Sequence, residues 1–164
     1  MLDLDDIDLR LLDLLQDNAG LSNQDLAAAA HVSPATALRR VRRLSEDGIV
    51  ERRVALLSTE RIGAGLQALV EVQLDRQGAE HLGAFEALAV ADSAVQQCWR
   101  VSPGPDFVLV LWVADMAAYQ ATVERLFTQH ANVRNVKGYF AIKRAKFLPR
   151  VDLKALRAAS TSVS

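Results

Sequence analysis

The chain has 164 residues, 51% of them hydrophobic, and a formal net charge of -1. This length allows one domain or two small ones, and the near-neutral charge means that any nucleic-acid site must come from local clustering of lysine and arginine. Cys98 is the only cysteine, which excludes an internal disulfide, and the three histidines lie far apart in sequence, so we expect no metal site. With no secretory signal and no membrane-spanning apolar run, we expect a cytoplasmic protein.

The first predicted element is an amphipathic helix over residues 5–18. Apolar side chains recur there at helical spacing, and the early aspartates favour a helix start (Ile7, Leu11, Leu14, Leu15; Asp3, Asp5, Asp6). Ser22 then has the position of an N-cap, with Asp25 three residues later, and a short alanine-rich helix follows to Ala30. The break at residues 31–34 separates this helix from the next one.

A third helix is predicted from Pro34 to Asp47, with Ser33 as its cap and Gly48 after its end. Its inner face is expected to carry Leu38, Val41 and Leu44, while Thr36 and four arginines occupy the outer faces (Arg39, Arg40, Arg42, Arg43). Two short helices joined by a tight turn form a helix-turn-helix, whose second helix enters the major groove of DNA.

Six residues are the predicted DNA contacts: Ser33, Thr36, Arg39, Arg40, Arg42 and Arg43. Thr36 and Arg39 or Arg40 are expected at base edges, and the other arginines at phosphates, because a guanidinium pairs bidentately with guanine or phosphate. The alternative is that this arginine-rich helix is only a solvated face, since charge runs are common on protein surfaces.

The remaining chain predicts alternating strands and helices. Alternation over residues 66–74 indicates a strand with one buried face, residues 82–91 have helical spacing, and Val95 to Val101 alternate again, with Val95, Gln97, Trp99 and Val101 on one face. The apolar run 107–113 indicates a strand covered on both faces or partly buried by another subunit. A helix follows Asp115, and residues 133–147 supply a last strand. This β-α-β-β-α-β order is typical of a ferredoxin-like domain, whose uncovered sheet face predicts a homodimer.

The motifs Ser33-Pro34-Ala35-Thr36 and Arg39-Arg40-Val41-Arg42-Arg43-Leu44, followed by Gly48-Ile49-Val50, closely resemble the Lrp/AsnC family of transcription regulators. The likeness extends from Leu2 to about Phe147. It implies an α+β protein: a winged helix-turn-helix in residues 1–50, a linker with a strand in 51–65, a βαββαβ domain for oligomerisation and effector binding in 66–148, and a tail in 149–164. It also implies homodimers, which in the family often assemble into octamers, and a small-molecule effector, commonly an amino acid.

The resemblance implies an effector site formed by the turn between the second and third strands and by the last strand. The matching residues are Ser102, Gly104, Pro105, Asp106, Val136 and Gly138. Pro103 and Pro105 depart from the family pattern and remove two amide donors from the turn. The alternative is that residues 102–106 are only a stiff hairpin turn.

From these patterns we predict a sequence-specific DNA-binding regulator, with no catalytic residues, no metal and no cofactor other than a possible amino-acid effector. One alternative is a nucleoid-type protein that wraps DNA with low specificity. Another is a small ferredoxin-like enzyme, although no nucleophile with a base and no carboxylate pair appears. Trp99 and Trp112 are expected to be core or interface anchors, Cys98 a structural thiol, and the tail is assigned no function.

Overall fold

The computed structural model describes residues 4–62, 65–153 and 155. The chain forms two compact units, one made of Met1–Leu56 together with Phe147–Ser164, and the other of Leu57–Lys146. The first unit is helical and the second contains a four-stranded sheet with helices, which confirms the α+β class. Among the described residues, none of the helices is long and apolar enough to cross a membrane.

Three helices form the first unit: α1 (Asp6–Asp17), α2 (Asn23–Ala30) and α3 (Pro34–Glu46). Asp5 caps α1 by accepting hydrogen bonds from the N–H groups of Ile7 and Asp8, and Ser22 caps α2 by accepting one from Asp25. His31 ends α2 in the left-handed conformation (φ 57°) and so makes the tight turn into α3. The core between the helices consists of Leu11, Leu15, Leu26, Ala27, Ala30, Ala37 and Val41.

The linker differs from the prediction. Residues 51–58 form no strand, and a short helix, α4 (Thr59–Ile62), follows them. A strand forms only where a second strand takes up its backbone hydrogen bonds. Residues 51–57 make no such ladder within the described part of this single chain.

The second unit has the predicted order of elements: β1 (Leu66–Leu74), α5 (Ala79–Ala91), β2 (Val95–Arg100), β3 (Phe107–Val113), α6 (Met116–Val123) with a π-helical turn (Glu124–Thr128), and β4 (Val133–Phe140). The strands lie in the order β2-β3-β1-β4, and all neighbours are antiparallel. One face of the sheet packs on the helices through alternate residues of β1 and β3, together with Phe85, Leu126 and Phe127. The other face, which we call the open face, carries the intervening residues.

Two details of this sheet were predicted wrongly. The register of β2 against β3 shifts between Val95 and Gln97, so Cys98 packs toward the core and Trp99 is 59% exposed on the open face. A β-bulge of this kind inverts the alternation of every later residue, which a period-two pattern does not reveal. The last strand also ends at Phe140 rather than Phe147.

The chain returns to the first unit after β4. Arg150 forms ion pairs with Asp13 (3.3 Å) and Asp17 of α1. Gln16 bonds both backbone groups of Val151: its Oε1 accepts from the Val151 N–H at 2.7 Å, and its Nε2 donates to the Val151 carbonyl at 3.2 Å. This part of the tail is therefore packed on α1, whereas residues 156–164 lie outside the described residues.

Candidate nucleic-acid interface

The N-terminal end of α3 is built by Ser33 and Pro34. The Ser33 hydroxyl oxygen accepts a hydrogen bond from the Thr36 N–H at 3.2 Å and donates one to the Thr36 hydroxyl at 2.9 Å. Pro34 begins the helix, where its missing N–H leaves no carbonyl unpaired, and its carbonyl accepts a hydrogen bond from the Asn23 side chain at 2.9 Å. Ser33 thus fixes where α3 starts, and Thr36 is half-buried beside it.

The inner face of α3 is formed by Ala37, Val41 and Leu44, at i, i+4 and i+7. The prediction placed Leu38 on this face, but Leu38 is 59% exposed. Residues 37 and 38 are about 100° apart around the helix, so only one of them can share the face of Val41 and Leu44. The small Ala37 takes that place because α3 packs closely on its neighbours, and Leu38 lies on the outer side.

Two of the four arginines predicted at DNA form ion pairs with aspartates at the start of α1. Arg40 donates through Nη1 to Asp5 at 2.6 Å and to Asp8 at 3.0 Å, and Arg43 donates through Nη2 to Asp8 at 2.5 Å. The Asp8 side chain is only 1% exposed, and that of Arg40 is 18% exposed. These four residues, which we call the Asp8 cluster, tie α3 to the first turn of α1. Arg40 and Arg43 were predicted at DNA, and the structure pairs both with aspartates, while the Arg43 side chain stays 47% exposed.

The electrostatics of the Asp8 cluster favour its charged form. The hydrogen bond from Arg40 holds the pKa of Asp5 below its usual value. The same hydrogen bond, with a second from Arg40 to Asp8, raises the pKa of Arg40. Both shifts favour the charged forms of Asp5 and Arg40 at neutral pH.

The outer face of α3 carries the remaining candidates. Arg39 is exposed, and the Arg42 side chain is 78% exposed, with an ion pair to Glu46 one turn on at 2.8 Å. An exposed i,i+4 pair contributes only about 0.3–0.5 kcal/mol, so a DNA phosphate competes easily for Arg42. Together with Leu38 and Thr36, these two arginines make a surface that we call the outer face of α3.

The turn predicted to bind an effector uses its acidic residue internally. One carboxylate oxygen of Asp106 accepts from the Leu74 N–H at 2.7 Å and from Gln77 Nε2 at 3.3 Å, and the Asp106 N–H donates to the Val72 carbonyl at 2.9 Å. Asp106 therefore satisfies backbone hydrogen-bonding groups at the C-terminal end of β1. Gly104 has φ 126°, a conformation that side chains rarely adopt, and so it shapes the turn.

The two predicted effector residues on β4 lie on the sheet face that packs on the helices. Val136 pairs with Val72 and packs against the core. Gly138 lies beneath Tyr119: a Cβ at this position would come within 2.2 Å of the Tyr119 hydroxyl oxygen. On that face, the hydrophobic core lies against Val136 and the Tyr119 side chain lies against Gly138.

Among the described residues, no group of three or more His, Cys, Asp or Glu side chains could hold a metal ion. Cys98 is half-buried, and burial, followed by the charge of Glu86, raises the pKa of its thiol. A thiol with a raised pKa is a poor nucleophile at neutral pH.

Several residues that shape the first unit were not predicted from the sequence. Asp5 and Asp8 hold the arginines, and the signal for Asp8 was its spacing of three, four and seven residues from Leu11, Leu12 and Leu15, which puts a charge on the apolar stripe of α1. The exposure of Leu38 was signalled by Ala37, which competes with it for the inner face. No comparable signal pointed to the packing of Arg150 on α1, because its partners are more than 130 residues away.

Comparison with known proteins identifies both units. Residues 4–51 match the winged helix-turn-helix DNA-binding family, and residues 67–151 match the Lrp/AsnC ligand binding domain. The chain is 36% identical to the Bkd operon transcriptional regulator of Pseudomonas aeruginosa, covering 87% of this chain and 94% of that one. It is 34% identical to the DNA-binding transcriptional activator DecR of Escherichia coli, covering 92% and 99%. A crystal structure of a Neisseria meningitidis transcriptional regulator in complex with L-Met superposes with a TM-score of 0.84 at 30% identity, covering 94% and 99%.

Proposed function

The chain belongs to the Lrp/AsnC family of transcriptional regulators, and from this membership we propose that it contacts its operator DNA through the outer face of α3. In this proposal Arg39 and Arg42 carry the positive charge that meets the DNA, while Arg40 and Arg43 hold α3 in place. The protein acts by binding, without catalysis, and works in the cytoplasm, where its DNA is found.

The observation that carries this proposal is that two arginines of α3 pair with aspartates of the protein while the other two are exposed on the outer face. A recognition helix needs one side fixed to the protein and the other side free to enter the groove. The Asp8 cluster and the apolar inner face supply the first condition. The exposure of Arg39 and Arg42 supplies the second, and it places the free positive charge in the first three turns of the helix, where base edges are reached.

Selection of bound fragments from sheared genomic DNA tests the proposal. We expect the wild type to enrich a small set of sequences and the double variant Arg39→Ala, Arg42→Ala to enrich none. Arg134→Ala, which removes an exposed arginine from β4, is the matched control and should enrich the same set as the wild type. Enrichment by the double variant would contradict the proposed face. Footprints on the enriched fragments then distinguish one or two protected half-sites from the long periodic ladder that a DNA-wrapping protein would leave.

We further propose that an amino acid is the effector. The second unit matches a ligand-binding domain, and the Neisseria regulator was crystallised with L-Met. The Asp106 carboxylate already accepts a hydrogen bond from the Leu74 N–H at the end of β1. Pro103 and Pro105 lack N–H groups, so the N–H groups of Ser102 and Gly104 remain as the backbone donors within the turn. Calorimetric titration with each amino acid, beginning with L-Met, tests this proposal, and the absence of heat with all of them would refute it.

A homodimer is proposed on the basis of the open face. Leu69 (43% exposed) lies directly between Val110 of β3 and Tyr139 of β4 (51% exposed), and Trp99 lies beside Val108. The apolar row thus spans β3, β1 and β4, and Trp99 with Val108 extends the patch toward β2. An apolar patch of this extent is unfavourable to leave in water, and a second copy covers it with the same residues.

The homodimer is tested by sedimentation equilibrium of Leu69→Glu. We expect this variant to be monomeric at micromolar concentration, while Val90→Glu, at an exposed position of α5, remains a dimer like the wild type. A wild type that sediments as a monomer would refute the homodimer.

A further inference from the structure

We infer that Leu38 is a specificity-determining residue that contacts the 5-methyl group of a thymine in the major groove. Its exposed fraction of 59% is large for a leucine in a helix that packs on two others. The inference rests on the proposed DNA-binding role of the outer face of α3.

The position of Leu38 on α3 puts it among the groups that meet DNA. It is the fifth residue of the helix, and it lies one turn before Arg42 and three residues after Ala35 on the same side. Helix-turn-helix proteins contact base edges with residues from this early part of the recognition helix. When Arg39 and Arg42 approach the DNA, Leu38 is therefore carried into the groove with them.

The chemistry of leucine identifies the group that it meets. Its side chain has no donor or acceptor, so against most base edges it would displace water from polar atoms without replacing the hydrogen bonds of that water. In the major groove only thymine presents an apolar group, the C5 methyl. Leu38 thus favours thymine through its apolar contact and disfavours the other bases through the polar atoms that it would leave unpaired.

A second protein molecule is a poorer occupant of the same surface. Arg39 is the next residue, and Arg42 lies one turn away, so two copies of this face would bring like charges together. DNA instead supplies the negative charge that these arginines need, together with the methyl group that suits Leu38.

The expected free energy of this contact follows from the burial of one methyl-sized group. That burial is worth about 0.8 kcal/mol, which corresponds to a factor of about four in the dissociation constant for each methyl group contacted. Leu38→Ala should retain the fold, because position 38 lies outside the core and alanine has the highest helix propensity.

The test uses DNA that differs only in the thymine methyl groups. A duplex is selected from random sequences with the wild type and is then synthesised with either thymine or deoxyuridine, which pairs like thymine but lacks the methyl. We expect the wild type to bind the deoxyuridine duplex about fourfold more weakly for each contacted methyl, and Leu38→Ala to bind both duplexes equally. Val90→Ala, the control, should keep the wild-type ratio, because Val90 lies on α5 in the second unit. Comparing each variant with the wild type on the same two duplexes cancels any effect of deoxyuridine on DNA shape.

Two results would overturn the inference. Equal binding of both duplexes by the wild type would show that no methyl is contacted, and an unchanged ratio in Leu38→Ala would assign the contact to another residue. Failure of the wild type to enrich any duplex would instead refute the DNA-binding face itself, so the two failures are distinguishable.

Discussion

Replacing Asp8 by asparagine should destabilise the first unit more than any other single change of charge in its described residues. The carboxylate is 1% exposed and accepts hydrogen bonds from Arg40 at 3.0 Å, Arg43 at 2.5 Å and the Asp5 N–H at 3.3 Å. Asparagine keeps the size of the side chain but removes its charge and turns one of its two oxygens into a donor. The two guanidinium groups then lose their shared counter-charge.

The magnitude follows from the exposure of the partners. Removing one member of a fully buried ion pair costs about 3–5 kcal/mol. Here Asp5 still pairs with Arg40, and the Arg43 side chain is 47% exposed, so water replaces part of the interaction with Asp8. We therefore expect a decrease of about 2 kcal/mol in the free energy of unfolding, which lowers the transition temperature of a unit of this size by roughly 10 °C.

Calorimetric melting of Asp8→Asn and wild type measures this decrease. Asp47→Asn is the matched control, because Asp47 lies 4.0 Å from the same Arg43 but is partly exposed, and its replacement should shift the transition by less than about 2 °C. If Asp8→Asn melted together with Asp47→Asn, the Asp8 cluster would not hold α3 in place, and the assignment of Arg40 and Arg43 to structural roles would be refuted.

Three further changes probe other parts of the structure. Gly138→Ala should destabilise the second unit by about 1–3 kcal/mol in chemical denaturation, because its Cβ meets the Tyr119 hydroxyl, and Tyr119→Phe in the same chain should recover part of that stability. The Arg125 guanidinium, 2.7 Å from Asp92, holds the pKa of that carboxyl below its ordinary value. The ion pair therefore contributes to the free energy of unfolding above about pH 4, and this contribution disappears as the pH falls further. Asp92→Asn should remove this part of the acid destabilisation in pH titrations of stability. Arg150→Ala should detach the tail from α1, which limited proteolysis would detect as faster cleavage after Phe147, and an unchanged rate would contradict the packing of the tail on α1.

Local signals explain why much of the fold was predictable. Ser22 and Ser33 cap their helices as expected, since a cap and its partner lie within three residues of each other. The strand β1 was found from its alternation, and β3 from its unbroken apolar run, because both buried patterns are properties of consecutive residues.

The errors arose where distant parts of the chain decide the outcome. Arg40 and Arg43 look unpaired on the α3 helix alone, and only the approach of Asp8, 32 and 35 residues earlier, gives both a carboxylate partner. The β-bulge in β2 depends on its pairing with β3, so Trp99 does not share the face of Val95 as the alternation predicted. The predicted linker strand needs a partner that a single chain does not supply.

The salt dependence of operator binding tests most directly whether the outer face of α3 is the DNA-binding surface. Removing one arginine that neutralises a phosphate reduces the slope of log K against log salt concentration by about 0.9. At a temperature at which circular dichroism shows all variants folded, we expect Arg42→Ala to reduce the slope by about that amount for each recognition helix, and Arg40→Ala to leave it unchanged. An equal reduction by Arg40→Ala, or none by Arg42→Ala, would contradict the division between anchoring and DNA-contacting arginines.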